Sequence, residues 1–192
     1  DGTREILERH AREGHLHLLR EHSTEFSQAA WVTRMARLAA TDFGADWVMN
    51  ADADEFWWPR GGSLKDLFAA VPRRYGVVRG YQRHFAPRPE EERHFAERMT
   101  VRITPFRIPP GPEDPFPGTI QVAHRADASV VVSPGNHDVR GRDLLPLRGW
   151  YPFEVLHFPV RALEQARAKY AHKVTGAKVD PVVAVHGPDH LA

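Results

Sequence analysis

The sequence predicts an α/β protein in which helices flank a mixed sheet. Two helix-like segments, 1–14 and 25–44, are each followed by a strand-like segment, at 15–21 and 46–52. This order is typical of a parallel sheet with crossover helices. From residue 75 onwards, short runs rich in apolar residues favour a mainly β second half. The chain has 192 residues, which is enough for one substantial core.

Local signals bound each predicted helix. Gly14 and Gly44 are expected to end the first two helices, because glycine readily adopts the conformations that close a helix. Asp1 or Thr3 is a candidate cap for the first helix, and Ser63 is a candidate cap for a short third one. The helices are expected over 1–14, 25–44, 63–71 and 161–176.

The strands and loops follow from the remaining pattern. Segments 86–98 and 107–118 are rich in proline and charge, so we expect active-site or surface loops there. A parallel sheet normally begins with a strand, so we expect one strand upstream of residue 1. The predicted domain is therefore 1–176 without its first strand, and 177–192 is a segment of unclear structure. Strands are expected over 15–21, 46–52, 75–85, 99–106, 119–126, 129–134 and 152–158.

Composition excludes several classes of function. The 26 basic and 25 acidic residues nearly cancel, which predicts no general affinity for nucleic acid. The absence of cysteine excludes disulfides, thiolate metal sites and a cysteine nucleophile. No apolar stretch approaches the roughly 20 residues of a membrane span, and no signal peptide is recognisable, so we expect a cytoplasmic protein. Twelve histidines direct attention to metal or proton chemistry.

An acidic stretch follows the second predicted strand, in 47-WVMNADADEFWWP-59. Residues two apart in an extended chain point to the same side, so Asp52 and Asp54 are expected to converge. Converging carboxylates are typical ligands of Mg²⁺ or Mn²⁺, with phosphate oxygens completing the shell. The carboxyl end of a parallel strand is also where ligands bind in α/β sheets. The alternative is that both aspartates cap a solvated turn.

With these residues the chain resembles the metal-dependent glycosyltransferases of the GT-A fold, in the family 2-like branch with an Asp-x-Asp-Glu-Phe signature. That signature reads 52-DADEF-56 here, and it follows 44-GADWVMNAD-52. The opening 1-DGTREIL-7 is similar to the Asp-Gly-Thr start of the first-half helix in family 2 enzymes. The segment 156-LHFPVRALEQARAKYAHKVTG-176 is similar to the branch's closing His-aromatic-Pro-x-Arg segment. The matches occur in the family's order.

The resemblance implies transfer of a sugar from a nucleotide-sugar donor to a hydroxyl on a glycan, lipid or small molecule, with Mn²⁺ or Mg²⁺ as cofactor. It places Asp52 near the donor ribose and the metal, and Asp54 as the direct metal ligand. Glu55 would hold the loop or a sugar hydroxyl. His157 matches a late histidine that supplies a further metal contact, although it could equally be a core histidine.

Other candidates lie in the second half. The branch also carries a histidine at the end of a preceding strand, which implies His137 as a second metal contact, unless it belongs to an ordinary turn. Asp138 is a candidate general base for the acceptor hydroxyl, and Glu154, Glu113 and Asp114 are its rivals.

Cations and aromatic side chains complete the set of candidates. Four cations could face the diphosphate, and the fork of an arginine matches two phosphate oxygens at once. Arg34 and Arg161 are favoured as donor-binding residues over Arg37 and Lys173, and each of the four could instead be a solvated helix residue. Aromatic side chains could stack on sugar faces or pack in the core. The candidates are Trp57, Trp58, Trp150 and Tyr151.

A rival resemblance points to another class of enzyme. The element 135-GNHD-138 is similar to the Gly-Asn-His-Asp element of calcineurin-like metallophosphoesterases, whose two metals hydrolyse phosphate esters. The other elements of that family are incomplete here, at 15-HLH-17 and 186-HGPDH-190. A third possibility is a silent sugar- or nucleotide-binding fragment. Proximity of Asp54 to His157 would favour the transferase, whereas clustering of His137 with His186 and His190 would favour the phosphoesterase.

Overall fold

A computed structural model describes residues 2–22, 27–88, 93–103, 119–167 and, for the backbone alone, 182–185. The helices are α1 (Thr3–Arg12), α2 (Gln28–Thr41), α3 (Leu64–Ala69) and α4 (Phe95–Arg98), and residues 163–167 are also helical. The strands are β1 (His17–Arg20), β2 (Trp47–Met49), β3 (Glu55–Pro59), β4 (Val77–Phe85), β5 (Arg102–Ile103), β6 (Ile120–Arg125), β7 (Val131–Val132), β8 (Val139–Arg140), β9 (Phe153–His157) and β10 (Val182–Val185).

The main sheet is mixed, as expected for the predicted α/β class. Its strand order is β2-β6-β4-β9-β3, with β5 paired to β4. Strands β4 and β9 are parallel, and the other strand pairs in this sheet are antiparallel. The expected parallel start of the sheet is wrong, because β1 pairs with β10 in a separate two-stranded sheet and β2 pairs with β6. Strand partners depend on distant segments, which the local order of helices and strands does not specify.

Each face of the main sheet is covered by a different helix. On one face, α3 packs over a cluster that contains Phe68, Val78, Ala123, Phe153 and Val155. On the other face, α2 contributes to a second cluster with Val32, Ala36, Val77, Val122 and Val132. Because residues alternate between the faces along a strand, β4 and β6 contribute to both clusters. These buried strands form a rigid base for the side chains at their ends.

The helix boundaries agree with most of the local signals. Gly14 adopts a left-handed φ of 79° after α1, and Gly44 adopts one of 60° after α2, which confirms both stops. Ser63 forms a capping box with Asp66, as its position predicts. The expected side-chain cap of α1 is wrong for Thr3, which lies within the helix, because Gly2 occupies the N-cap position. The alternative cap, Asp1, lies outside the described residues.

Three elements differ from the sequence prediction. Strand β3 begins directly within the acidic stretch, where no strand was predicted. Helix α4 lies in the segment 86–98, which was predicted to be loop throughout. Strand β10 lies in the segment 177–192, whose structure was unclear from sequence. The predicted loop at 107–118 and most of the last predicted helix lie outside the described residues. None of the helices in the described part of the chain is long and apolar enough to cross a membrane.

One buried histidine makes stability depend on pH. His124 on β6 has no exposed surface, and its Nδ1 lies 2.8 Å from the carbonyl oxygen of Arg125. Burial lowers the pKa of His124 below its ordinary value of 6.5. In the unfolded chain this ring therefore binds a proton as the pH falls through about 6.5, whereas in the folded protein it does so only at a lower pH. The contribution of the neutral His124 ring to the free energy of unfolding is therefore fully present above about pH 6.5 and is lost progressively below it.

We expect His124→Phe to reduce the fall in melting temperature between pH 7 and pH 5, because the variant has no proton to bind at this position. Melting curves followed by circular dichroism across this pH range would measure the effect. His22→Phe is the matched control, because His22 is exposed and its replacement should leave the slope unchanged. Equal slopes for the wild type and His124→Phe would contradict the prediction.

Candidate functional site

The candidate site lies along one end of the main sheet, where β2, β4 and β9 end and β3 and β6 begin. This line of strand ends is called the sheet edge below. In register, Glu55 faces His157, and His157 faces His84 on the other side. These three residues share a sheet face with Phe153 and Val155 of the core beneath α3. The buried face therefore changes from apolar to polar at this edge. Its polar residues are Glu55, Gln82, His84, Thr119, Gln121 and His157.

The acidic stretch forms a turn. The backbone N–H of Glu55 donates to the carbonyl oxygen of Asp52 at 3.0 Å, and residues 53 and 54 are turn residues. The extended chain from which convergence of Asp52 and Asp54 was predicted is therefore not present, because aspartates at these positions favour a turn. Asp52 contacts side chains from α2 and the 135–138 loop, whereas Asp54 contacts β9.

Asp54 and His157 lie side by side. Asp54 Oδ1 is 3.5 Å from His157 Nε2, and both side chains are largely buried. The backbone N–H of Phe158 donates to the carbonyl oxygen of Asp54 at 2.9 Å. The main chains of the two strands therefore hold these side chains together at the sheet edge.

A chain of polar contacts continues from His157. Its Nδ1 lies 2.8 Å from Nδ1 of His84, and Nε2 of His84 lies 3.3 Å from Oγ1 of Thr119. Burial lowers the pKa of His84, and electrostatic interaction with the neighbouring His157 and His137 lowers it further. At the contact between the two imidazoles one nitrogen must donate and the other accept. If Nε2 of His157 binds a cation, the proton of that ring is on Nδ1 and points to His84.

Glu55 is the most enclosed carboxylate of the site. It is 8% exposed, and its Oε1 accepts hydrogen bonds from Gln121 at 2.7 Å and from Gln82. Its Oε2 accepts from the backbone N–H of Asp52 at 3.3 Å. Burial raises the pKa of the Glu55 carboxyl, although these hydrogen bonds partly oppose the rise. The contacts are those of a residue that holds the acidic turn, which is one of the two roles predicted for Glu55.

The 135–138 loop reaches the acidic turn. Asp52 Oδ1 lies 3.4 Å from both Nδ2 of Asn136 and Nε2 of Gln28. Asn136 is 1% exposed and has a left-handed φ of 63°, and its Oδ1 has no hydrogen-bond partner among the described residues. Positive φ values are uncommon outside glycine, and asparagine is among the residues that adopt them most readily. Its neighbour His137 lies with Nδ1 2.8 Å from the carbonyl oxygen of Ile120, at the start of β6.

The predicted metal ligands are brought together only in part. Adjacent ligands of an octahedral Mg²⁺ or Mn²⁺ ion are about 3 Å apart, so the pair formed by Asp54 and His157 is close to the required spacing. The described residues contain no trio from the predicted set with ligand atoms within 4.8 Å of one another. Asp52 and His137 therefore do not complete a closed set of protein ligands with this pair. The predicted set is Asp52, Asp54, His137 and His157.

The predicted general base and its rivals occupy other surroundings. Asp138 is half exposed, and its Oδ1 lies 3.8 Å from Nη2 of Arg79. Glu154 points to the opposite face of β9 from His157 and accepts a hydrogen bond from Arg83 at 2.9 Å. Burial tends to raise the pKa of Glu154, but Arg83 and two further arginines lower it overall. Glu154 is thus held as a carboxylate away from the site. The other two rivals lie outside the described residues.

The predicted donor-binding cations have other contacts. Arg34 on α2 lies 3.3 Å from the carboxylate of Glu21. The guanidinium of Arg161 lies over the ring of Phe95, 5.4 Å from its centroid. Arg37 donates to the carbonyl oxygen of Val130 at 2.8 Å. The fourth candidate, Lys173, lies outside the described residues.

The aromatic candidates divide between core and surface. Trp57 packs against Phe153 with ring centroids 4.6 Å apart, which is a core position. Trp58 points away from the site, to the opposite face of β3, and is 63% exposed. Tyr151 stacks on Tyr81, and Trp150 is exposed.

Sequence reasoning missed four polar residues of the site, on β4 and at the start of β6. A signal for two of them was present, because Gln82 and His84 are two residues apart near the end of a predicted strand and therefore share a face. Nothing in the local pattern indicated that they face His157. The other two are Thr119 and Gln121.

Comparisons with known proteins assign no family to this site. No protein-family model matches the chain, and neither the curated proteins nor the solved structures contain a significant match. The geometry of the sheet edge is therefore the basis for a functional proposal.

Proposed function

We propose that this chain is a metal-dependent glycosyltransferase with a GT-A-like arrangement, which moves a sugar from a nucleotide-sugar donor to a hydroxyl acceptor. One observation carries the proposal. Asp54 and His157 are distant in sequence, yet their ligand atoms lie 3.5 Å apart at the carboxyl ends of β4 and β9. These two strands are the parallel pair of the sheet, and the carboxyl ends of parallel strands are where ligands bind in α/β sheets. Asp54 and His157 come from two of the sequence segments that resemble the family.

The donor set fits Mn²⁺ or Mg²⁺. These ions are commonly held by one or two protein ligands while substrate phosphates and water complete the shell, and imidazole beside carboxylate suits Mn²⁺. When bound, the ion would supply positive charge against the departing nucleotide diphosphate. Asp54 and His157 would hold it directly, and Asp52 lies in the same turn.

The neighbouring residues would keep these ligands in position. With a cation on Nε2 of His157, its Nδ1 would donate to Nδ1 of His84, which lies 2.8 Å away, and Nε2 would face Asp54 without a proton. The amides of Gln82 and Gln121 hold the Glu55 carboxylate in place, and Glu55 in turn accepts the backbone N–H of Asp52 in the acidic turn. Both arrangements reduce the freedom of the ligand side chains before donor binds.

Other parts of the assignment belong to the same proposal. Asp138 is half exposed beside His137, so an acceptor hydroxyl could reach it. The acceptor is a glycan, lipid or small molecule, and the location is cytoplasmic. Arg34 and Arg161 remain the candidates for the diphosphate, which would have to compete with Glu21 for Arg34.

Calorimetric titration of a panel of nucleotide sugars in Mn²⁺ tests the proposal. We expect Asp54→Ala to weaken donor binding at least about tenfold, because the metal ion loses one of its two proposed protein ligands. His157→Ala should have a similar effect. Asp46→Ala is the matched control, because Asp46 is exposed at the opposite end of β2, and it should bind donor as the wild type does.

Three results would reject the transferase assignment. Unchanged donor affinity in Asp54→Ala would show that Asp54 of the acidic turn has no part in donor binding. Hydrolysis of a phosphodiester that is lost in Asn136→Ala, without donor binding, would favour the metallophosphoesterase instead. If the chain binds the donor but neither transfers nor hydrolyses its sugar with any acceptor tested, it would be a silent binding fragment.

A further inference from the structure

A second group of metal-ligating side chains lies far from the acidic turn in sequence, at the C-terminal end of α1. His10, Glu13 and His15 each direct one ligand atom so that the three atoms lie within 4.8 Å of one another. Oε2 of Glu13 is 3.3 Å from Nδ1 of His10 and 3.7 Å from Nε2 of His15. A single carboxylate oxygen thus stands beside both imidazoles.

The main chain creates this arrangement. After α1 the chain closes in a Schellman motif, in which the N–H of His15 donates to the carbonyl oxygen of His10 at 3.0 Å. The N–H of Gly14 donates to the carbonyl oxygen of Ala11 at 3.1 Å, and Gly14 has the left-handed φ of 79° that the motif requires. In this motif the residues at the positions of His10 and His15 meet in space, and they are usually apolar. Here both are imidazoles.

The residues on either side hold the motif in place. Leu16, directly after His15, is 6% exposed and anchors the chain at the point where it enters β1. Strand β1 then pairs with β10, which fixes the direction of the chain after the turn. The spacing of the two histidines therefore depends on ordered backbone at both ends.

We propose that His10, Glu13 and His15 form a site for Zn²⁺, with a water molecule in the fourth position. Zinc–nitrogen bonds of about 2.0–2.1 Å and zinc–oxygen bonds of similar length place tetrahedral ligand atoms about 3.3–3.5 Å apart. The separations of 3.3 Å and 3.7 Å from Oε2 of Glu13 to the two imidazole nitrogens are close to this range. Two imidazoles and a carboxylate are also a recurrent ligand set of zinc.

The electrostatic surroundings are mixed. The side chains of the three ligands are 39%, 45% and 48% exposed, so the ion can enter from solvent. The carbonyl groups at the end of α1 carry partial negative charge, which favours a cation. Arg9 and Arg12 in the last turn oppose it, but their charges are screened at this exposure. Zinc is strongly favoured over Mg²⁺ or Mn²⁺ by two imidazoles, so the site differs in selectivity from the sheet edge.

Calorimetric titration of the whole chain with Zn²⁺, in a buffer that does not bind metal, tests the proposal. We expect the wild type to bind one Zn²⁺ ion per chain at this site, and His15→Ala to lower the affinity for that ion at least about tenfold. Glu13→Gln should lower the affinity by a smaller factor. Gly14→Ala retains all three ligands and strains the left-handed turn, so it should also weaken binding. His22→Ala, at an exposed histidine outside the group, is the control for non-specific binding and should match the wild type.

Asp54→Ala separates this site from the proposed transferase site. It should leave the Zn²⁺ equivalent assigned to α1 unchanged, whatever its effect on donor binding. Substitution of Co²⁺ should produce the strong visible absorption of tetrahedral coordination, and His15→Ala should lose it. Equal Zn²⁺ affinity and stoichiometry in the wild type and His15→Ala would overturn the proposal. Loss of the same equivalent in Asp54→Ala with retention in His15→Ala would also overturn it.

Discussion

Replacement of Gly80 by alanine is expected to lower the free energy of unfolding by about 3 kcal/mol, at the upper end of the range for overpacked cores. Gly80 is buried in the middle of β4, beside Phe153 of the parallel strand β9. A Cβ atom at this position would overlap two ring carbons of Phe153 and lie 2.7 Å from its carbonyl oxygen. The ring itself is fully buried and packs against Trp57, so it has little room to move.

Urea denaturation of Gly80→Ala measures this effect. Gly61→Ala is a matched control, because a Cβ atom there meets nothing within 4 Å and the residue has no left-handed φ. The control should lie within about 0.5 kcal/mol of the wild type. Adding Phe153→Leu should recover only part of the loss, because the contact with the carbonyl oxygen remains. A stability of Gly80→Ala equal to that of the control would show that β4 and β9 separate easily.

Glu55→Ala is expected to destabilise the protein by about 3 kcal/mol, because two amide groups lose their acceptor in a buried setting. The side chains of Gln82 and Gln121 both donate to Oε1 of Glu55, and Gln121 is 1% exposed. Each unpaired buried donor costs about 1–3 kcal/mol. The acidic turn also loses the bond from the N–H of Asp52 to Glu55.

A double-mutant cycle isolates the contribution of these hydrogen bonds. In a Gln82→Leu, Gln121→Leu background, Glu55→Ala should cost much less than in the wild type, since no amide donors remain to be left unpaired. Urea denaturation of the four proteins gives the interaction energy. Identical costs of Glu55→Ala in both backgrounds would mean that the amides do not depend on Glu55.

The extent of the elements was largely predictable from sequence. Strands β4, β6 and β9 fall within the predicted segments 75–85, 119–126 and 152–158, because buried strands consist of apolar runs bounded by polar residues. The pairing was not predictable, since the partner of β1 lies at the other end of the chain. Strand β3 was missed because its aromatic residues directly follow an acidic turn, without a loop to separate them.

The candidate site was likewise predictable from the sequence only in part. The proximity of Asp54 to His157 was expected from the resemblance, because two of the sequence segments that carry it contain these residues. The partners of Asp52 were not expected, because the turn at 52–55 directs its carboxylate toward Gln28 and Asn136. Arg34 lies against Glu21, a contact that depends on the packing of α2 and has no local sequence signal.

The hydrogen bond from the N–H of Phe158 to the carbonyl oxygen of Asp54 has a consequence for metal selectivity. It belongs to the main chain and continues the β3–β9 ladder, so the spacing between positions 54 and 157 does not depend on which side chains occupy them. Asp54→His would therefore place two imidazole side chains on positions that the backbone holds next to each other. Such a variant would be expected to prefer Zn²⁺ or Ni²⁺ to Mg²⁺, and its selectivity would change while the backbone of the sheet stayed as it is.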